Sequence, residues 1–344
     1  MRNSSWIDLK ALISGRDIGY RPVGFIIDSP WIPGWYGISS LDYYTSDDFW
    51  FRSNLAAAER FPDVWFMPGF WSEYGMCTEP SAYGSRMVFS EFSLPHAEKI
   101  LEEISEADTL PVPNVKTDGL LPFMINRLRN KHSAIREADH EIRFAVSRGP
   151  FNIASFLMGT TEFMMSLALY PDGSHRLLKK ITDFICDWLS WQRESFPSID
   201  GVLLLDDIIG FVGDAEFNEF VVPYFRRIFN KTGTDVRFLH NDADGLITAK
   251  YLGEMGVNMF NFSHNHSLGE IQKLAGREVV LVGNIPPRDV LAGGTPDDVA
   301  KAVERASSET AVYGNLIWSA GGGMPPGVKD ENLLAFIRAV RNIK

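Results

Sequence analysis

The sequence predicts an α/β fold, a single (β/α)8 TIM barrel with an N-terminal extension, and three observations carry that prediction. First, five short apolar runs in the second half each end in a cluster of polar, Gly or Pro residues. They are Val202–Leu205 before Asp206-Asp207, Val236–Leu239 before His240 to Gly245, Val257–Phe262 before Ser263 to His266, Val279–Val282 before Gly283 to Pro287, and Leu316–Trp318 before Ser319 to Gly327. Runs of this length without alternation suit strands buried on both faces. Second, a helical pattern follows each run, which makes βα units and a parallel sheet. Third, Val23–Ile27, Val64–Met67 and Ile142–Val146 read as earlier strands and bring the count to eight. A chain of 344 residues, 45% of them hydrophobic, can fill the core of one barrel. An open doubly wound sheet is the alternative, but no G-x-G-x-x-G follows the first strand.

In chain order, residues 1–60 read as an extension rich in aromatics and turns, including Pro30-Trp31-Ile32-Pro33-Gly34-Trp35-Tyr36-Gly37, packed on a barrel at 61–344. Ser46, followed by Asp47-Asp48, has the chemistry of an N-cap and predicts a helix to Arg60. The strand at Val64–Met67 opens into the aromatic loop Pro68–Cys77. Met87 to Asn130 shows no clear period. Helices are predicted at about 151–168 and 172–195, and βα units continue to a last helix at about 330–343.

Composition excludes some functions. The net charge is -11 and the basic residues are scattered, so no stripe exists to neutralise phosphates, and neither nucleic acid nor an anionic membrane is an expected partner. Two cysteines make no disulfide framework, and the expected compartment is the reducing cytoplasm. No apolar run approaches the roughly 18 residues of a membrane span, and the opening MRNSSWIDLK has no apolar signal region.

Chemistry in such barrels gathers at the carboxyl ends of the strands. His240 stands at one such end with Asp242 and Asp244 close behind, a nitrogen and oxygen set suited to a divalent cation; a helix-capping turn is the plainer use of Asn241 to Gly245. Asp206 and Asp207 close another strand, and the pleat must send one toward the barrel axis and the other toward the helices. Glu219 follows in the next helix. His264, two residues before His266, is a further candidate acid or base, and Asn284 ahead of Pro286-Pro287 is a candidate ligand contact. Phe70, Trp71 and Tyr74 around Glu73, together with Trp318, could wall a flat apolar pocket, although packing against the extension would explain the loop as well.

VLLLDDIIGF, EFVVPYFRRI, VRFLHNDADG, VNMFNFSH, VVLVGNIPPRDVLAGGTPDDV and SAGGGMPPGVKDENLLAFIRAV resemble the uroporphyrinogen decarboxylase superfamily from about residue 140 onward. The resemblance implies a (β/α)8 barrel and either a decarboxylase or a methyltransferase that works with cobalamin carried on a corrinoid protein. True decarboxylases carry an R-x-A-G-R type motif at the first barrel strand. The stretch taken as its counterpart, VWFMPGFWSEYG from Val64, has no arginine. Coenzyme M methyltransferases of the superfamily show H-x-C and a late G-C-G-type loop, where this chain has His240-Asn241-Asp242 and Gly321-Gly322-Gly323. Demethylases of aryl methyl ethers show E-x14-E-x20-H; Glu219 to His240 matches the second half, while Leu204 stands where the first acid would be, near Asp206 and Asp207.

The expectation is therefore a methyltransferase that moves a methyl group from a small O-methyl or N-methyl compound to a corrinoid protein. Zinc would be held by His240, Glu219 and Asp206 or Asp207. Glu73 or His264 would supply a proton, and Phe70, Trp71, Tyr74, Asn284 and Trp318 would contact substrate. Uroporphyrinogen decarboxylation and a non-catalytic binding barrel are the alternatives.

Overall fold

Eight strands, all paired in parallel, form the barrel: β1 (Val23–Ile26), β2 (Val64–Met67), β3 (Phe144–Arg148), β4 (Gly201–Leu205), β5 (Val236–Asn241), β6 (Met259–Phe262), β7 (Val280–Ile285) and β8 (Leu316–Ala320). Their order around the sheet is β2-β1-β8-β7-β6-β5-β4-β3. The structure is a computed structural model that describes residues 1–27, 31–309 and 315–343. Pro30 of the turn-rich run and Lys344 lie outside them. Residues 1–60 contribute β1, which lies between β2 and β8, so the segment read as an extension builds part of the barrel.

The pleat divides the strands into two apolar sets. Outward residues such as Ala145, Leu204, Leu239 and Phe260 pack under the helices. Inward residues such as Val146, Leu203, Phe238 and Val282 fill the axis. A helix not foreseen from sequence, α1 (Asn3–Ile13), closes the amino-terminal end of the barrel. Its Trp6, Leu9 and Leu12 recur at the spacing of one helix face and join the inward set, Trp6 meeting Phe144 edge-on at 5.3 Å. Lys10 pairs with Asp200 and Asp235, just ahead of β4 and β5. No ladder joins β2 to β3 among the described residues. The seam is instead occupied by the start of the chain, where Arg2 bridges to His140 and the Glu141 amide donates to the Met1 carbonyl at 3.0 Å.

Local signals set the helices. Ser46 accepts from the Phe49 amide at 3.2 Å and starts α2 (Asp47–Arg60), as its sequence predicts. The region without clear period holds the two-residue strands Met87–Val88 and His96–Ala97 and then α3 (Leu121–Glu137). The single helix predicted at 151–168 is two, α4 (Pro150–Met158) and α5 (Thr160–Leu169), because Gly159 takes φ 97° between them. The long α6 (Pro171–Ser195) leads to β4. Trp31 and Trp35 donate to the Val328 carbonyl and to Asp330, fastening the aromatic run to the last helix. No helix among the described residues is long and apolar enough to cross a membrane.

Candidate active site

At the carboxyl end of the strands the inward positions change from apolar to polar. Arg148 follows Val146, Asp207 follows Leu205, His240 follows Phe238, Asn261 follows Met259, Asn284 follows Val282 and Ser319 follows Ile317. Two of these groups, Asp207 and His240, converge with Asp242 into a cluster. His240 Nε2 lies 3.7 Å from Asp207 Oδ1 and 3.9 Å from Asp242 Oδ2, and the Asp242 amide donates to Asp207 Oδ1 at 3.1 Å. One ligand atom from each of Asp207, His240 and Asp242 falls within 4.8 Å of the other two.

The surroundings of the cluster come from neighbouring strands. His240 Nδ1 is 2.7 Å from Asn261 Oδ1, and His240 is buried. Burial raises the Asp207 carboxyl above the usual aspartate range and the Asp242 charge adds to that, while the Arg148 charge and the Asp242 amide oppose it. Arg148 donates to Glu73 Oε2 at 2.9 Å, so the acid in the aromatic loop reaches the same mouth as a buried ion pair. Gly322, at φ 133°, brings the last loop against the cluster: a Cβ there would stand 2.8 Å from Asp242 Oδ2.

Asp206 turns the other way. It is fully buried, and its two oxygens accept the amides of Phe151 at 2.9 Å and Asn152 at 3.1 Å, which are unpaired donors in the first turn of α4. A Cβ at Gly149 would sit 2.3 Å from Asp206 Oδ2. Burial pushes this carboxyl well up, and the two amides work against the shift. The expectation of Asp206 as a catalytic or cation-binding acid is corrected accordingly. The pleat gives it to the helix layer.

Glu219 is likewise outside the cluster. It is exposed on the turn Phe217–Val221 and pairs with His175 Nε2 at 3.3 Å, because that face of the chain meets α6 instead of the barrel axis. His264 is exposed, and its backbone packs against Gly321. Asn284 is inward and buried, with its amide donating to the His266 carbonyl. Asp244 performs the capping role, accepting from the Leu246 amide at 3.2 Å.

The aromatic residues divide. Trp71 is half-buried against the inward apolar set and tops the barrel core. Phe70 packs on Trp50 and Phe51 of α2, and Tyr74 stacks on Tyr44 with the Arg127 guanidinium 4.9 Å from its ring centroid, so both serve the packing of the first sixty residues. Trp318 is fully buried on the outward face of β8 and cannot wall a pocket at the axis. Both cysteines are free and buried, their thiols pushed up to about 11 by burial, and neither is in the cluster.

Two groups that sequence reading missed stand beside the site. Asn261 carries a visible signal, a polar residue inside an apolar strand, which must find partners when buried. Glu79 carries none. Its Oε1 accepts from the Arg148 amide at 2.9 Å and the Ser147 hydroxyl at 3.0 Å. Burial raises its carboxyl, against the opposing charge of Arg148. A folded-state value above that of the unfolded chain means that the folded form holds a proton the unfolded chain has lost. The stability this gives is complete below about pH 4 and is lost as pH rises through the folded value. Glu79→Gln keeps an acceptor and cannot ionise. It should match the natural protein in urea unfolding at pH 4 and exceed it at pH 8; equal stability at both would show that the carboxyl carries no such linkage.

The profile of the uroporphyrinogen decarboxylase (URO-D) family matches residues 36–343. The chain belongs to that family. The relatives it resembles include uroporphyrinogen decarboxylases of Pseudomonas syringae pv. tomato, 24% identical over 277 residues (77% of this chain and 76% of the relative), and of Methylobacillus flagellatus, 26% identical over 278 residues (77% and 76%). Among solved structures it is similar to a methyltransferase from Methanosarcina mazei, with TM-score 0.80, 17% identity and 96% of each chain covered. A B12-independent methionine synthase from Shewanella sp. is more distant, with TM-score 0.51, 11% identity and 94% of this chain and 96% of that one covered. At these identities the likenesses to solved structures show the barrel fold alone.

Proposed function

We propose that this URO-D family member is a methyltransferase that takes a methyl group from a small O-methyl or N-methyl compound and passes it to cobalamin on a separate corrinoid protein. The observation that carries the reading is the convergence of Asp207, His240 and Asp242 at the barrel mouth. Their donor set, one imidazole nitrogen and two carboxylate oxygens, fits zinc or a similar divalent cation with positions left for substrate. When bound there, the cation would act as a Lewis acid toward the heteroatom that bears the methyl group. Asp207 and Asp242 would balance its charge, and the two buried thiols rule themselves out as ligands by position. Trp71 would cover the apolar side of the substrate. Glu73 and His264 are the groups proposed to exchange a proton with the departing heteroatom. The likeness in fold to the Methanosarcina mazei methyltransferase supports the same reading.

The decarboxylase reading meets an electrostatic difficulty. A substrate with many carboxylates needs cationic anchors. Because β1 is the first barrel strand, the stretch to compare with the arginine motif is the one after it, IDSPWIPGWY, and it also lacks arginine. Arg86 is exposed and bound to Glu98, and Arg148 is paired with Glu73.

The test is an assay of zinc-loaded protein with cob(I)alamin and a panel of methoxylated aromatics and methylamines. Substrate-dependent loss of cob(I)alamin, absent without zinc, is the expected result. Conversion of uroporphyrinogen with no methyl transfer from any of the panel would overturn the proposal.

A further inference from the structure

Asn261 is fully buried at the inward position of β6, and its amide is committed at both ends. Nδ2 donates to the Val282 carbonyl of β7 at 2.7 Å and to the Ala320 carbonyl of β8 at 3.0 Å. Carbonyl oxygens only accept. Turning the amide over would set Oδ1 against both of them, so the hydrogen-bond network fixes which end is which. Oδ1 is thereby presented to His240 Nδ1 at 2.7 Å, and an oxygen that only accepts requires a donor.

We infer that Asn261 is a positioning residue that fixes the proton of His240 on Nδ1 and so keeps the Nε2 lone pair turned toward Asp207 and Asp242. A neutral imidazole carries one N–H. With that proton on Nε2, the nitrogen beside the two carboxylates would be a hydrogen-bond donor and closed to a cation. Asn261 orients the ring as a carboxylate would, but adds no charge, so the cluster keeps the two negative charges that one divalent cation balances. The amide also ties β5 to β7 and β8, and the ring orientation is therefore held by three strands. The use of this arrangement rests on the cation site proposed above, whereas the position of the proton can be observed without any cation.

The experiment is a long-range 1H–15N correlation on metal-free protein labelled at histidine, at pH 8, with the His240 signals identified by their loss in His240→Gln. A ring protonated on Nδ1 with Nε2 bare is expected. In Asn261→Ala the Nε2-protonated form should gain population, and calorimetric affinity for Co2+ should fall about 10- to 100-fold. Protonation of Nε2 in the natural protein, whether neutral or cationic, overturns the inference, and so does an unchanged tautomer in folded Asn261→Ala. If Asn261→Ala fails to fold, the spectrum of the natural protein still decides. A natural protein that binds no cation but shows the Nδ1 proton would sink the proposed function and leave the role of Asn261 standing.

Discussion

Alanine at position 240 is expected to lower affinity for zinc by more than about a hundredfold, since even the partners behind a ligand are worth roughly 10- to 100-fold. His240 supplies the only nitrogen of the cluster and the atom that faces both carboxylates, Asp207 at 3.7 Å and Asp242 at 3.9 Å. Without it, two carboxylates remain, an all-oxygen pair that suits hard cations such as Mg2+ or Ca2+ better than zinc. Metal analysis after purification without chelator, followed by titration of the stripped protein, measures the loss. The methyl-transfer assay should fail in parallel. Stoichiometric zinc retained by His240→Ala would end the cation-site reading, and with it the proposed mechanism.

Asp206→Ala should cost about 2–4 kcal/mol of stability while sparing the cation site. The figure follows from two buried amides, Phe151 and Asn152, each left without an acceptor at roughly 1–3 kcal/mol, less the desolvation recovered when a buried carboxyl is removed. The loss falls on the first turn of α4, where no other described side chain accepts from these amides. Asp207→Ala should behave oppositely, with cation affinity strongly reduced and stability little changed, because the Asp207 side chain caps no helix and the one amide it accepts from, that of Asp242, belongs to an exposed residue. Urea unfolding and zinc titration of both variants separate the two neighbours. A pair of variants equal in both measurements would contradict the division of roles between Asp206 and Asp207.

Neighbours so different in use show how far the sequence reaches. The apolar runs identify all eight strands, because burial on both faces leaves no alternation and the change to polar residues at each end is abrupt. His240 and one acid of the Asp206-Asp207 pair could be assigned to the mouth from those runs. The pleat also required the other acid to face the helices. Which was which needed the inward phase of β4, continued through Leu203 and Leu205 to Asp207. Trp318 was open to the same reading, since it alternates with inward Ile317 and so belongs to the outward face.

The amino-terminal region was harder to read for another reason. α1 is short, and the barrel end that its Trp6, Leu9 and Leu12 fill is assembled from residues more than a hundred positions away, such as Phe144 and Val236. β1 reads as a strand from its own apolar run, but its place between β2 and β8 is set by pairings across the sheet.

What the sequence determined by itself is the parallel barrel, its polar mouth and the imidazole in it, because periodicity and strand length depend only on residues close in the chain. Tertiary structure alone decided that Asp207 joins His240 and Asp242 in place of Glu219, that Asn261 stands behind His240, and that Asp206 belongs to α4. Those outcomes depend on distances between different strands and helices. Spacing along one segment cannot encode them, because the direction of each side chain is set by the pleat and by the neighbours that packing brings against it.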